Sequence, residues 1–399
     1  MKQLFNTVSI LSICLLLIIS SPIQAVRELM FTNIRQMGMG GAGVAISYDE
    51  SALYKNPAGL SKANWQFKLP RLGLGLEQEL YNKYQKLTDI LSDQDSLSNQ
   101  DLIQKVNEEG LVPLNNFGYN MYMSPILSLT TPGFGIGAFA QAHIDGGLYD
   151  KNAPYFEARA NADVAPMIGF SRDISFQGQP IAIGFSGYYV ERFRLYNPQD
   201  GSDTISPLLT DLVGNNSEED SESSYELPGY VNSKGYGINL GALTPVQTPI
   251  GNGHLGVAFN NVFAPIEETI TSSNSLADTE TNSTSIPMTA TIGLGLDTSL
   301  PKFIPFFSDL IGNFTAAIDY KFISIDNSLF KRLYMGIEKR VLWERVILRG
   351  GLNQGFFTGG IGLDLWLLRL DYASFTEELG TEIGVKPITY HVVQASILL

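Results

Sequence analysis

Charged residues at two-residue spacing are the first candidates for chemistry in this chain. Glu157, Arg159 and Asp163 lie two and four residues apart, and Arg192 and Arg194 lie two apart. On a strand, residues at this spacing share one face. A guanidinium without a protein partner could bind a carboxylate ligand through charged hydrogen bonds, whereas a paired one has a structural role. The sequence leaves both interpretations open for the three arginines.

Sequence patterns that often indicate catalysis or cofactor binding are incomplete in this chain. Gly38–Gly43 fits G-x-G-x-x-G, but no strand pattern precedes it, no βαβ unit follows, and no acid stands near position 63 to bind a ribose. His143, His254 and His391 are scattered, so no metal site is predicted. No Ser-His-Asp order stands out. We therefore predict no catalytic residue, no metal and no cofactor.

The overall charge excludes one class of partner. The formal net charge is −14, and loss of the first 25 residues, which contain Lys2 and no acid, makes it −15 (−14 − 1). The longest charge run is acidic, at Glu218, Glu219, Asp220 and Glu222. Nucleic-acid binding requires clustered Lys and Arg, so a nucleic-acid partner is excluded.

Residues 1–25 fit a secretory signal peptide. Lys2 precedes a largely apolar run from Val8 to Ile19, and Ile23-Gln24-Ala25 fits a signal-peptidase site. The run is too short for a transmembrane helix, and no later stretch reaches about 18 apolar residues. Cys14, the sole cysteine, lies in this run and is followed by three leucines, which does not fit a lipoprotein site. The sequence predicts an exported chain that has no thiol after cleavage.

From residue 65 onward, apolar residues alternate with Gly, polar or charged residues. Ile292 and Leu294 share one face, for example, while Gly293 and Gly295 share the other. This period of two indicates strands, and repeated segments of this kind are typical of a transmembrane β-barrel. A soluble β-sandwich is the alternative, but its outer face should be polar rather than regularly apolar. We predict an all-β fold, a 14-stranded antiparallel transmembrane β-barrel, with strands at residues 66–77, 117–129, 134–144, 155–170, 180–194, 231–243, 254–264, 286–298, 313–324, 330–341, 345–353, 356–366, 368–375 and 386–399.

Connection lengths predict the topology of this barrel. If the first strand starts in the periplasm, alternate connections should be short periplasmic turns and longer outer loops. Residues 195–230 and 265–285 are long and polar, as outer loops should be. The first outer connection, 79–110, has helical periodicity and could form an apolar landing surface or a cap over the barrel mouth. Residues 299–312 could form an interfacial helix or an aromatic-rich turn.

The final predicted strand ends on the last residue of the chain. Five alternating residues share its apolar face, namely His391, Val393, Ala395, Ile397 and Leu399. A terminal strand of this kind fits the signal of proteins inserted by the barrel assembly machinery, although the usual last residue is Phe. We therefore expect that machinery as a partner.

The region before the barrel carries the most specific motifs. Arg35 begins the run Arg-Gln-Met-Gly-Met-Gly-Gly-Ala-Gly, and Ala52 begins Ala-Leu-Tyr-Lys-Asn-Pro-Ala-Gly-Leu. With these motifs the chain resembles the FadL/TodX family of outer-membrane hydrophobic-substrate channels. A close variant of the motifs is similar to the related PorV and TraF-like proteins. The motif match covers about residues 35–60, and the remaining resemblance is one of architecture.

The resemblance implies an N-terminal hatch at residues 26–64 that plugs a barrel of residues 65–399 in the outer membrane of a Gram-negative cell. It implies passive transport of a hydrophobic ligand, such as a long-chain fatty acid, into outer-membrane lipid. The PorV and TraF-like variant implies instead a barrel that docks a secreted or surface protein. Acyl hydrolysis, as in an outer-membrane phospholipase barrel, fits neither, because the hatch argues against an enzyme.

The resemblance also points to residues in the hatch and the wall. Arg35, Met37 and Met39 are candidates for ligand contact, and Asn56 and Pro57 form the Asn-Pro-Ala turn. The alternative is that all of these residues belong to a purely structural plug. Two prolines interrupt predicted strands, so we expect a bulge, kink or gap beside each of them. In the resembled family an early-strand kink opens a lateral exit, which makes the candidate lateral opening Pro125 and Pro166.

Overall fold

The structure is a computed structural model that describes most of the barrel and the segment before it. The predicted signal peptide, residues 299–312 and most of the outer loop 195–230 lie outside the described residues. No described helix has the length and apolar character needed to cross a membrane. The described residues are 31, 33–77, 85–86, 88–90, 99–111, 114–197, 204–206, 208, 229–249, 251–272, 275–298, 314–324, 328–366, 368–378, 382–385 and 387–397.

Antiparallel strands account for most of this chain. Within the described residues they are β1 (Gln66–Lys68), β2 (Leu72–Glu77), β3 (Leu114–Thr131), β4 (Phe134–Tyr149), β5 (Tyr155–Phe176), β6 (Gln179–Tyr196), β7 (Gly229–Thr248), β8 (Gly251–Phe263), β9 (Pro265–Ser272), β10 (Ser275–Ser285), β11 (Thr289–Thr298), β12 (Phe314–Ile323), β13 (Leu333–Val341), β14 (Val346–Asn353), β15 (Phe356–Leu365), β16 (Leu368–Glu378) and β17 (Pro387–Ile397).

Fourteen of these strands form a closed barrel. Neighbouring strands pair along the series β2 to β8 and along the series β11 to β17. β8 pairs with β11, and β17 pairs with β2, which closes the ring. The fourteen predicted strands and their antiparallel order are confirmed. Closure leaves no open sheet edge around the ring, which is the condition for a sheet to span lipid.

Three short strands extend the ring. β1 precedes β2 on its periplasmic side and pairs with the periplasmic end of β3. β9 and β10 continue β8 and β11 outward as a hairpin, and β9 pairs with the outer end of β7. The long polar outer connection predicted at 265–285 is therefore itself a β-hairpin, because a neighbouring strand long enough to pair with can convert a polar segment into sheet regardless of its hydropathy.

The outward face of the barrel is apolar and its ends are aromatic. Along β5, Ile168 is exposed while its neighbour Met167 is buried, and this alternation recurs around the ring. All three tryptophans of the chain, Trp65, Trp343 and Trp366, are exposed at the periplasmic ends of strands. Tryptophan favours the membrane–water interface. The protein is an outer-membrane, multi-pass β-barrel.

Residues 33–64, here called the N-terminal segment, form three short helical turns inside the barrel. They are α1 (Ile34–Gly38) and the 3₁₀ helices Glu50–Leu53 and Pro57–Lys62. Each begins at a short polar side chain, Asn33, Asp49 or Asn56, which accepts a hydrogen bond from a backbone N–H of the first turn. Pro57 thus starts the third turn, where its missing N–H costs nothing.

The first outer connection contains a helix, α2 (Asn99–Glu108). Its Leu102 and Val106 are buried with Ile90 and Leu111 against Leu148, at the outer end of β4. These apolar side chains therefore pack as a cap on the barrel rim and are not available as a landing surface. Residues 79–84, 87 and 91–98 of the predicted helical connection lie outside the described residues.

Candidate functional site

Glycines on the inner face of the wall allow the N-terminal segment to lie directly against the strands. A Cβ atom added to Gly241 of β7 would lie 2.0 Å from Oδ1 of Asn56. One added to Gly336 of β13 would lie 2.2 Å from the carbonyl oxygen of Met39. The glycine-rich inner face of the wall therefore contacts the N-terminal segment directly at these positions.

Asn56 is fully buried and ties the segment to itself and to the wall. Its Nδ2 donates to the carbonyl oxygens of Val44, at 2.8 Å, and of Ala242 in β7, at 3.2 Å. Its Oδ1 accepts from the backbone N–H of Ala58 at 3.2 Å. All three bonds are buried or partly buried, where an unpaired amide group would be costly.

Asp319, which the sequence did not single out, holds the middle of the segment. Its Oδ2 accepts from the backbone N–H groups of Gly43, at 2.7 Å, and Val44, at 2.9 Å. The carboxylate is almost completely buried on the inner face of β12. A lone acid among the small residues of a lumen-facing strand is the signal that could have identified it.

Arg35 belongs to a buried ion-pair network that crosses three strands. Its Nε lies 3.1 Å from Oε2 of Glu338 on β13. The same carboxylate accepts from Nε of Arg349 on β14 at 2.8 Å, and Arg349 donates to Asp371 on β16 at 2.9 Å. Arg369 completes the network at 2.8 Å from Asp371. Glu338, Arg349 and Asp371 are functional neighbours of Arg35 that the sequence pattern did not reveal.

A second ion-pair network holds the segment beside β1 and β2. Glu50, which is buried, pairs with Lys68 and lies 3.3 Å from Arg71. Asp49 lies 3.2 Å from the same Lys68. Burial opposes ionisation of Asp49, but Lys68 and the Ser51 hydroxyl outweigh it and hold the pKa of this carboxyl below its usual value. The segment is therefore anchored by charge near its start, at Arg35, and at its centre, at Asp49 and Glu50.

The two candidate methionines have different surroundings. Met37 packs with Ile34 against an apolar patch on the inner faces of β16 and β17 that includes Phe375 and Tyr390. Met39 is completely buried against Ala317 and Tyr334. Of the two, Met37 lines the cavity described below.

A large apolar cluster lies between the N-terminal segment and the wall. Leu53 and Tyr54 of the segment, together with Phe31 just before it, pack against inward residues of β4, β5 and β6. The ring centroids of Tyr54 and Phe139 are 5.1 Å apart, nearly perpendicular. The inward residues of this wall patch are Phe139, Ala165, Met167, Tyr188 and Val190.

A cavity of about 90 Å³ lies on the outer side of the segment. Its apolar lining residues include Phe31, Met37, Tyr54 and Phe375. Its charged lining residues are Lys55, Asp319, Lys321 and Glu377. Cavities that hold benzene measure about 150 Å³, so this cavity cannot hold an alkyl chain unless the segment moves.

The three lumen arginines all have partners. Arg192 and Asp163 form a buried pair, with Nε and Oδ1 at 2.5 Å. Arg194 lies 3.3 Å from Glu268 of β9. Arg159 pairs with Glu157 at 3.0 Å and donates to the Thr204 hydroxyl at 2.8 Å, but its side chain is 28% exposed. Of the three, Arg159 is the most accessible to a ligand.

The two strand prolines affect the wall differently. Around Pro125 the register of β3 shifts between Met123 and Leu127 relative to β4. The line of β1 and β2 is interrupted opposite the same point, where the N–H of Arg71 donates to the carbonyl oxygen of Pro125 at 3.0 Å. At Pro166 the ladder with β6 lacks two pairs, but the register is the same on both sides. The larger irregularity is therefore at Pro125.

The histidines lie apart, each beside another polar side chain. Nε2 of His143 lies 2.8 Å from Asp145, Nδ1 of His254 lies 2.9 Å from the Tyr48 hydroxyl, and Nδ1 of His391 lies 2.6 Å from the hydroxyl of Tyr372. The described part of the chain contains no group of three residues suited to bind a metal ion.

Comparison with known proteins finds similarity in three dimensions. No family model and no curated protein matches the sequence. CymD, a monoaromatic hydrocarbon channel, is 13% identical with a TM-score of 0.43, over 91% of this chain and 95% of its own. The toluene transporter TbuX of Ralstonia pickettii is 14% identical with a TM-score of 0.43, over 92% and 97%. A FadL homologue of Pseudomonas aeruginosa is 9% identical with a TM-score of 0.29, over 93% and 98%. Similarity at this level identifies neither a family nor a ligand.

Proposed function

We propose that the protein is a channel for the passive passage of hydrophobic small molecules across the outer membrane, with residues 26–64 as a movable hatch. In this function the barrel wall supplies the path and the hatch closes it. No covalent chemistry is required of any residue.

The apolar cluster between the N-terminal segment and the wall carries this proposal. Porins, which pass polar solutes, have polar lumens, whereas the wall here presents Phe139, Met167 and Tyr188 inward. Movement of the hatch would expose this patch to water, at a cost of about 25 cal/mol for each Å² of apolar surface. A hydrophobic solute that covered the patch would remove this cost. The presence of such a solute therefore favours the state in which the hatch has moved.

The ion pairs suggest how the hatch is held and where a solute leaves. Lys68 and Arg71 bind Asp49 and Glu50 directly beside the irregular register at Pro125. A hatch that moved away from this point would uncover the irregular strand pairing at Pro125. We propose this point, rather than Pro166, as the lateral exit into outer-membrane lipid.

Long-chain fatty acids are our proposed substrates within this class. The hatch motif supports this choice, and Arg159 is the proposed partner of the carboxylate because its guanidinium is partly exposed and charge-assisted bonds favour such a ligand. Met37, at the cavity surface, is the proposed first apolar contact, and Arg35 holds the hatch in place. Asn56 and Pro57 form the turn of the hatch.

The proposal is tested by changing the apolar patch. Met167→Gln should lower the uptake of radiolabelled oleate by about ten-fold, because a buried amide replaces apolar contact. Ile168→Val, on the lipid-facing side of the same strand, is the matched control and should leave uptake unchanged. Equal uptake by both variants, with no lipid retained by the purified parent protein in mass spectrometry, would contradict a transport function.

A docking function is the second candidate, and two observations favour it. The N-terminal segment packs directly against the wall, with a cavity of about 90 Å³ beside it, and β9 and β10 extend the barrel outward as a platform. A secreted or surface protein could bind there. If the protein docks a partner, the parent should capture that protein from the culture medium, deletion of residues 267–283 should abolish the capture, and the parent should take up no oleate. A transporter should take up oleate and capture no such protein.

A further inference from the structure

The barrel wall is tall on one side and low on the other. β5 has 22 residues, β7 has 20 and β3 has 18, whereas β13 has 9, β14 has 8 and β15 has 10. At ~3.3 Å per residue and a tilt of ~40°, β5 rises ~55 Å along the membrane normal and β15 rises ~25 Å. Only the low side matches the apolar band of the membrane.

The position of the membrane on the low side is defined by tryptophan. Trp343 and Trp366, in the turns after β13 and β15, mark the periplasmic interface. The outer ends of the same strands lie ~25 Å away, at the height of the outer interface. The outer loops of the low side are therefore at the level of the outer leaflet and not above it.

Exposed apolar side chains occupy these outer loops. The low-rim patch consists of Leu329, Phe330, Phe357, Ile383 and Val385, with exposures of 68%, 66%, 86%, 36% and 58%. Leu329 and Phe330 lie on the outer connection between β12 and β13, and Ile383 and Val385 lie on the one between β16 and β17. Phe357 is the second residue of β15, directly after the outer turn from β14. Such a group of exposed apolar residues indicates an interaction surface.

The low-rim patch is ordered by hydrogen bonds between its loops. The backbone N–H of Glu378 donates to Gln354 Oε1 at 3.0 Å, and the carboxylate of Glu378 accepts from the N–H of Gly384 at 2.5 Å. A Cβ on Gly355 would lie 3.1 Å from Cδ1 of Ile383, so the turn between β14 and β15 and the loop between β16 and β17 are in contact. The patch is a defined surface.

The partner that fits this patch is the outer leaflet itself. Phe357 continues the lipid-facing row of β15, which includes the exposed residues Ile361 and Leu363. The patch is thus continuous with the lipid-facing belt. By contrast, the outer part of the tall wall carries the exposed ion pair of Lys234 with Glu191, as expected for a surface in water.

The cavity lies just inside the same rim. Asn353, Glu377 and Tyr334, which line it, are at or next to the outer ends of β14, β16 and β13. We propose that hydrophobic solutes enter the lumen from the outer leaflet across the low-rim patch and not from the water above the tall wall. The proposal rests on the transport function proposed above, and it adds the route and the surface.

The height of the low rim is tested by fluorescence quenching. Phe357→Cys, Val385→Cys and, on the tall side, Asn152→Cys are each labelled with NBD in the mature protein and reconstituted in phosphatidylcholine vesicles with shallow doxyl-lipid quenchers. Quenching at 357 and 385 with none at 152 supports the proposal. Equal quenching at all three positions, or none at 357 and 385, overturns it.

The route is tested by uptake. The variant Leu329→Ser/Phe330→Ser/Phe357→Ser should take up radiolabelled oleate about ten-fold more slowly, because apolar contact with the leaflet is lost, while purified protein binds oleate as the parent does. Tyr230→Ser, an exposed aromatic residue at the outer end of β7, is the matched control. Parental uptake by the triple variant overturns the route alone. Absence of both uptake and binding in the parent overturns the transport function and the route with it, while the quenching result still locates the patch.

Discussion

Nε of Arg35 lies 3.1 Å from the carboxylate of Glu338, so a side chain of the N-terminal segment is ionically bound to a strand of the wall 303 residues away. Arg349 donates to the same carboxylate from the next strand. Because the carboxylate is buried and shared, the segment is held by interactions that depend on both wall strands. Breaking one partner of a buried pair generally destabilises a protein more than breaking an exposed pair.

The first prediction concerns this contact. Arg35→Gln should lower the unfolding free energy by about 1 to 3 kcal/mol, because a charged hydrogen bond is lost, and should increase the proteolytic cleavage of the N-terminal segment. Thermal unfolding in detergent and limited proteolysis measure the two effects. Arg340 is an exposed residue of β13, the strand that contains Glu338. Arg340→Gln should therefore change neither quantity. If both variants are cleaved at the parental rate, Arg35 does not hold the segment.

The second prediction concerns the glycines beneath the segment. Gly336→Ala places a methyl group against the backbone of Met39 and should destabilise the protein by about 1 to 3 kcal/mol through overpacking. Gly350→Ala, where no atom lies within 4 Å of the added carbon, should change stability by no more than about 0.5 kcal/mol. The difference in thermal midpoint between the two variants is the measurement. Equal midpoints would mean that the segment does not lie against β13.

The third prediction concerns Asp319. Asp319→Leu removes the acceptor for the N–H groups of Gly43 and Val44 and should cost about 1 to 3 kcal/mol for each buried donor left unpaired. Asp319→Asn keeps an acceptor oxygen and should lose less. Amide hydrogen exchange of Gly43 and Val44 should be accelerated in the leucine variant above all. Unchanged protection in that variant would show that these bonds do not hold the segment.

The fourth prediction separates the two prolines. Pro125→Val should restore a donor at the irregular register of β3, close the wall there and lower the uptake of radiolabelled oleate, while thermal stability holds or rises. Pro166→Val changes a site whose register is already regular and should leave uptake near the parental value. Reduced uptake in Pro166→Val alone would place the lateral exit at β5 instead.

Local periodicity determined the strands of this barrel. Alternation such as that of Ile292 to Gly295 reports one lipid-facing and one inward face, and it is strongest where a strand crosses the apolar band, because lipid admits only apolar side chains. The ends of tall strands were less well predicted. β5 was expected to end at residue 170 and continues to Phe176, since a strand outside the apolar band no longer requires alternation.

Tertiary structure alone decided which charged residues meet. Arg192 and Asp163 face each other because β5 and β6 are paired in one register, and Arg35 meets Glu338 because the segment crosses the lumen to β13. Nothing in the sequence around these residues encodes a partner that lies 29 positions away in the first pair and 303 in the second. The low rim arises in the same manner. Its five apolar residues come from two outer loops and the start of β15, which are separate in sequence. The closed ring brings them together at one height, which only the lengths and pairing of the strands determine.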